Sequence, residues 1–522
     1  MRRVVPGTRT LLPMRLVQRM RLLRADLALG DLLEQLATVH GGRRLVEQPE
    51  PILLTGGSTQ LTFAEAADVV ARAAEVLAAQ CHGGRRVVVR GPNDYGFFLT
   101  CLAVARAGGV VVPVNPRMRD DEVAHVIADA EAEVVDVDAL DRELAASDVQ
   151  GLTPAQPRRG DVAGIFYTSG TTGRPKGARL TDDALTDPAN LGALWPAGLR
   201  RDEFVVSLPI AHIMGFAALV GVAGTGIPVY FLPRFDADAV LDAIEGRRAT
   251  AFIGVPAMFR MLLDAGAADR DLTSIRCWVS GADVMPADLA RSFKKFGATA
   301  TLPMVGRPVG EAMFAQGYGA VETGGAVSAK VSPPGLEIGL GDVLGWSLFG
   351  WRMRVVDDEG AEVPSGEVGE LLVKGPGILR GYHGDDAATR QVLTDDGWVR
   401  TGDLARKDRV GLVHFAGRKK DVLMHGGYSV YPPEVEETLR LHPGVADAAV
   451  VGRIDEVKGQ VPVAFVVAAP GVALDADELV TWARERISGY KAPREVHIVD
   501  ALPRTGTGKV AKTELRDRLA PG

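Results

Sequence analysis

The 522-residue sequence predicts an α/β fold: a large N-terminal domain of helix-wrapped sheets with a β subdomain, then a small mobile α+β C-terminal domain. Three observations carry that reading. Helical and β-rich runs alternate from Leu61 to Val135 and again from Val205 to Val279, the pattern of a parallel sheet covered by helices. After Gly335 the texture changes to short β-rich runs separated by turns. Beyond Gly417 a helix, two apolar strands and a second helix follow within about 100 residues, enough for one compact unit. Apolar residues make up 47% of the chain and charged residues 24%, an ordinary globular balance that excludes disorder or a fibrous repeat as the dominant state.

Taken in order, the first 24 residues hold Arg2, Arg3, Arg9, Arg15, Arg19, Arg21 and Arg24 and no acid. They lack the apolar core of a secretory signal, so residues 1–30 read as a solvated basic extension, with a lipid-touching helix or a transit peptide left open. The run TFAEAADVVARAAEVLAA predicts a helix, RRVVVRG a strand, FFLTCLAVARAG a helix and VVVPVNP a strand. Phe204 to Pro233 carries His212 as its one side chain that titrates near neutrality, but Pro209, Gly215, Gly221, Gly224, Gly226 and Pro228 interrupt it. It therefore reads as a buried strand–helix–strand, not a membrane span. WRMRVVDDEG, GEVGELLVKG and DGWVRTGDLARKDRVGLVHFAG predict the β subdomain, about 335–417. The large domain spans 31–419, and the C-terminal domain spans 420–522 after a charged hinge at Arg418–Asp421.

The net charge of −7 supplies no basic field for nucleic acid. Cys81, Cys101 and Cys277 are odd in number and widely spaced, which fits a reducing compartment and gives no zinc or disulfide framework. The expectation is a cytoplasmic protein without a transmembrane segment.

The segment Tyr167–Gly177, YTSGTTGRPKG, follows the apolar run VAGIF. A strand delivering hydroxyl-bearing and glycine residues in a row makes a loop whose N–H and O–H groups can surround a polyphosphate, with Lys176 adding charge. Its spacing differs from GxxxxGK[ST], so it is not a P-loop. The string resembles the signature of the adenylate-forming superfamily, and more closely its AMP-dependent acyl-CoA synthetases. Further segments resemble that family's motifs in order: PIAHIMG (Pro209–Gly215), SGAD (Ser280–Asp283), GYGAVETGG (Gly317–Gly325), WVRTGDLARKD (Trp398–Asp408), GRKKD (Gly417–Asp421), HGGYSVYPPEVE, and PRTGTGKVAKTELR (Pro503–Arg516). Val321 departs from the pattern, standing where the family usually has threonine.

The resemblance implies the following roles. Lys509, His212 and Glu322 are catalytic. Thr168, Ser169, Gly170, Thr171, Thr172, Gly173 and Lys176 hold phosphates, Gly281, Ala282, Tyr318 and Gly319 the adenine, and Asp403 and Arg418 the ribose. Magnesium falls to Glu322 and Thr171, the hinge to Lys420, and the pantetheine tunnel to Gly426 and Gly427, where residues without Cβ admit a close approach. Phe216, Val255, Met258, Gly281, Gly324 and Gly325 line the acyl pocket. These are apolar or small, which favours a hydrophobic monocarboxylic acid over an amino acid. The implied cofactors are ATP, Mg2+ and coenzyme A. The alternative acceptor is an acyl carrier protein, a non-catalytic acyl- or nucleotide-binding protein is a remoter reading, and a homodimer is left open.

Overall fold

A computed structural model of the chain describes residues 27–80, 85–146, 160–168, 175–193, 195, 202–301, 307–425, 428–455, 457–504 and 509–519. Most of the predicted basic extension and Cys81 lie outside them. The chain packs as two compact units. The first takes residues up to Gly341 with Ser347–Arg352 and Lys374–Val399; the second takes Asp342–Trp346, Met353–Val373 and Arg400 onward.

Among the described residues the first unit contains two large sheets and a two-stranded ribbon, Ala300–Thr301 with Pro308–Val309. One has four parallel strands, Glu133–Asp136, Arg86–Arg90, Val110–Pro113 and Val162–Thr168, closed by the antiparallel Lys176–Thr181. Helix Phe63–Ala79 opens with a capping box, Thr62 and Glu65 bonding each other's amides, which satisfies two donors at its start. In the other sheet, Val229–Phe231, Phe204–Val206, Ala251–Gly254, Cys277–Ser280 and Met313–Ala320 run parallel in that spatial order, and Gly325–Ser332 returns antiparallel. The apolar stretch 204–233 resolves into strand Phe204–Val206, helix Ile213–Thr225 and strand Val229–Phe231, as its glycines and prolines predict. Behind it sits an aromatic core of Phe252, Phe259, Trp278 and Phe293, with edge-to-face rings 5.0 to 6.2 Å apart.

Helix Asp182–Ala193 lies hard against helix Ile213–Thr225. A Cβ on Gly192 would overlap the Gly221 carbonyl, and one on Gly224 would overlap that of Ala189. Only glycine lets the two backbones meet so closely.

The second unit holds a β sheet of Val343–Ser347, Val413–Arg418, Val399–Lys407, Val368–Lys374 and Arg352–Val356. It also holds the C-terminal sheet, where strand Gly459–Ala468 of the long hairpin with Val445–Asp455 pairs along its other edge with Leu423–His425 at one end and with Glu495–Ile498 further along. Val435, Leu439, Leu479 and Ala483, from helices Pro432–Arg440 and Ala476–Arg486, are buried in the core this sheet shares with them. Among the described residues no helix is long and apolar enough to cross a membrane.

Candidate active site

Strand Val162–Thr168 and its antiparallel neighbour Lys176–Thr181 pair so that Thr168 lies opposite Lys176, closing the base of the hydroxyl-rich loop. A Cβ on Gly177 would stand 2.9 Å from Tyr167 Cζ and 2.7 Å from Ile165 Cγ2, so this position needs glycine. The Tyr167 hydroxyl donates to Asp129 Oδ2 at 2.6 Å. Burial, and then that carboxylate, push the phenol far above its ordinary pKa, so it keeps its proton and anchors the strand end. Ser169, Gly170, Thr171, Thr172 and Gly173 lie outside the described residues. Lys176 is half-buried, its Nζ 3.4 Å from Asp385 Oδ2 and 5.7 Å from the centroid of the Tyr382 ring.

The turn before His212 is clamped by Asn93, whose Oδ1 accepts from Ile210 N at 2.8 Å while its Nδ2 donates to Pro233 O at 2.8 Å. His212 caps helix Ile213–Thr225, its Nδ1 accepting from Met214 N at 3.3 Å. Phe216, one turn on, is fully buried, its ring 5.3 Å from that of Phe98 and 5.4 Å from that of Phe166.

Parallel strands Cys277–Ser280 and Met313–Ala320 pair Ser280 with Gln316, which sets Gly281 and Ala282 beside Gly317 and Tyr318. Gln316 Nε2 donates to Asp283 O at 2.9 Å and holds that loop down. Ala282 has φ of 68°, a left-handed conformation that costs a non-glycine residue about 1 kcal/mol and collects at functional loops. Glu322 follows in the tight turn Val321–Thr323. The Thr323 hydroxyl accepts from Ala320 N at 3.0 Å and lies 2.7 Å from Gly325 O, so it serves the turn and does not replace the hydroxyl missing at Val321. Glu322 Oε1 accepts from the Tyr382 phenol at 2.7 Å.

The glycines assigned to the acyl pocket separate into two kinds. A Cβ on Gly281 would stand 3.2 Å from Met214 Cε, and one on Gly325 3.5 Å from Ala217 Cβ, so helix Ile213–Thr225 faces both. Gly324, with φ of 62°, instead packs on helix Asp182–Ala193, where an added Cβ would stand 3.0 Å from both Ala184 Cβ and Ala184 O. Val255 and Met258, half-buried, stand at the start of helix Pro256–Asp264.

In the second unit Asp403 and Arg418 are direct partners on adjacent antiparallel strands and form an ion pair at 3.0 Å. Lys420 is exposed between two tethered neighbours: Lys419 Nζ lies 2.8 Å from Asp358 Oδ1, and Arg516 Nη2 lies 2.6 Å from Asp421 Oδ1. Gly426 and Gly427 lie outside the described residues; their flanking residues His425 and Tyr428 are antiparallel partners. Lys509 is half-buried beside the antiparallel bridge of Arg504 and Val510.

Sequence reasoning missed Asn93, Asp129, Met214, Ala217 and Tyr382. Each acts through a partner distant in the chain or across a helix, so its own segment carries no mark of that partner. Among the described residues no cluster of three or more His, Cys, Asp and Glu is placed to hold a metal. A lone carboxylate, Glu322, suits magnesium, which is commonly held by one or two carboxylates together with substrate phosphates.

Comparison with known proteins identifies the family and the fold. The family model described as AMP-binding enzyme matches residues 42–383, and that of the AMP-binding enzyme C-terminal domain matches 434–509. The chain is 36% identical over 499 residues to a feruloyl-CoA synthase of Amycolatopsis sp, covering 91% of this chain and 98% of that one. It is 34% identical over 525 residues to an indoleacetate–CoA ligase of Aromatoleum aromaticum, covering 94% and 98%. The structure of o-succinylbenzoate coenzyme A synthetase from Bacillus subtilis, in complex with ATP and magnesium ion, superposes with a TM-score of 0.78. That match is at 27% identity and covers 94% of this chain and 99% of that one.

Proposed function

The chain belongs to the AMP-binding enzyme family, and from that premise we propose that it is an acyl-CoA ligase that activates a hydrophobic monocarboxylic acid with ATP. The observation that carries the reading is the antiparallel pairing of Thr168 with Lys176, which brings together the two ends of a hydroxyl- and glycine-rich segment within the same unit as Glu322. The feruloyl- and indoleacetate-directed relatives make aromatic acids the first to try.

A carboxylate is a poor electrophile, because its charge repels nucleophiles and oxide is a very poor leaving group. In the first half-reaction its oxygen attacks the α-phosphate of ATP, the bond to pyrophosphate breaks, and an acyl-adenylate forms. The hydroxyls of Thr168, Ser169, Thr171 and Thr172 orient the departing phosphates. Lys509 stabilises the charge that builds where two anions meet. Magnesium, when bound, supplies further positive charge at the phosphates, with Glu322 and Thr171 to hold it. Asp403, an acceptor-only carboxylate, takes the ribose hydroxyls beside Arg418. Gly281, Ala282, Tyr318 and Gly319 receive the adenine.

In the second half-reaction the thiolate of coenzyme A attacks the acyl carbon and AMP leaves. A free thiol has a pKa near ~8.5, so a small ionised fraction suffices without a dedicated base. His212, fixed as a helix cap, stands at the acyl side. Lys509 and the Gly426–Gly427 face serve different steps, and rotation about Lys420 exchanges them.

ATP–pyrophosphate exchange with a panel of aliphatic and aromatic acids tests the first step, and thioester formation with coenzyme A against a phosphopantetheinyl carrier tests the second. Exchange with no acid at all sinks the reading. Transfer to the carrier alone replaces coenzyme A as the acceptor.

A further inference from the structure

Glutamate has three rotatable bonds, and holding its carboxylate in one orientation needs a partner. For Glu322 that partner comes from the stretch 377–385. Leu379 N donates to Glu322 O at 2.9 Å, and the Tyr382 phenol donates to Glu322 Oε1 at 2.7 Å. The same stretch grips the strand that leaves the phosphate loop. Tyr382 forms an antiparallel bridge with Ala178, His383 N donates to Gly177 O at 2.7 Å, and Arg380 N donates to Arg179 O at 2.7 Å.

Tyr382 is itself fixed. It is 6% exposed, and its amide donates to Thr389 Oγ1 at 2.9 Å. A phenol titrates near ~10, so at neutral pH it is a donor to the carboxylate.

We propose that Tyr382 is a positioning residue: its phenol occupies Glu322 Oε1, leaving Oε2 for magnesium, and ties that carboxylate to the strand leaving the phosphate loop. The inference deepens the proposed function and rests on the reading of Glu322 as the magnesium residue. Hydrogen-bond partners of a metal-binding carboxylate typically contribute 10- to 100-fold to metal affinity.

Calorimetric titration of the full-length protein with ATP, in excess magnesium and in EDTA, gives the magnesium-dependent gain in nucleotide affinity. Tyr382→Phe keeps the ring and removes only the hydroxyl. It should cut that gain about tenfold while leaving affinity in EDTA within about twofold of the unaltered protein. Glu322→Gln should abolish most of the gain. If Glu322→Gln loses the gain and Tyr382→Phe keeps it, the role of Tyr382 is overturned and that of Glu322 stands. If Glu322→Gln keeps the gain, the magnesium assignment itself falls. Equal loss of affinity with and without magnesium in Tyr382→Phe marks a merely structural tyrosine and overturns the proposal.

Discussion

Asp403 and Arg418 face each other across two antiparallel strands with 3.0 Å between Oδ1 and Nε, the carboxylate buried and the guanidinium side chain 45% exposed. The arginine is solvated enough to tolerate losing its partner, because exposed pairs contribute little to stability. Asp403→Asn should therefore leave the thermal midpoint nearly unchanged while raising the KM for ATP at least about tenfold, since an amide replaces a charged acceptor for ribose hydroxyls. Melting curves beside steady-state kinetics check this; an unfolded variant, or an unaltered KM, contradicts the assignment.

Val321 lacks a hydroxyl that its neighbour Thr323 does not supply. Restoring it with Val321→Thr adds one hydrogen bond to the nucleotide, worth about 1 kcal/mol net, or a several-fold tighter ATP. Nucleotide titration measures it, and weaker binding would show that the valine methyl groups are needed for packing.

Gly324 and Gly281 were assigned together to the acyl pocket but meet different neighbours. Gly324→Ala forces a left-handed alanine against the Ala184 backbone and should destabilise the fold by about 2 kcal/mol. Gly281→Ala meets the flexible tip of Met214, so stability should hold while acid preference shifts toward smaller substrates. Chemical denaturation and an acid panel separate the two. A shift in preference without instability at Gly324 would return that glycine to the pocket.

Asp182 Oδ1 accepts from Leu29 N at 2.9 Å, and the side chain is buried. Burial raises its pKa to about 6; the Leu29 amide opposes this, and Asp183, Asp31 and Asp161 add to it. The folded value exceeds the unfolded one near ~3.9, so the native state binds the extra proton between the two. The stabilisation this gives is fully present below about pH 4 and is lost as pH rises through about 6. Asp182→Asn keeps the acceptor and removes the charge. It should stabilise by about 2 kcal/mol at pH 8, with the gain fading toward pH 4. Urea melts at both pH values decide it; a gain independent of pH would sink the argument.

Lys509→Ala should abolish adenylate formation yet leave coenzyme A transfer from a supplied acyl-adenylate largely intact. Separate assays of the half-reactions test this, and parallel loss of both refutes a role confined to the first.

Local strings revealed whatever depends on local chemistry. The alternating runs from Leu61 to Val135 and the breakers between Phe204 and Pro233 became the expected strands and helices, because periodicity and backbone propensity act over a few residues. The order of motifs pointed to the family. Tyr382 stayed hidden because its partner Glu322 is 60 residues away, and a phenol in LRGYHGDD carries no mark of its acceptor. Asn93 stayed hidden because a PND turn reads as a connection, whereas it clamps Ile210 and Pro233. For glycine the ambiguity is physical: absence of a Cβ can open space or allow two chains to touch, and only the opposing element decides. At Gly324 it is contact with Ala184; at Gly281 it is a methionine tip.

The abutting backbones of Gly192 and Gly221, and of Ala189 and Gly224, leave helices Asp182–Ala193 and Ile213–Thr225 no slack to slide or spread. Anyone wishing to reshape this enzyme for bulkier acids is thus denied the easy route of nudging a rod aside. In the proposed acyl pocket, room has to be carved atom by atom, at Met214 and Ala217, on a scaffold that will not yield.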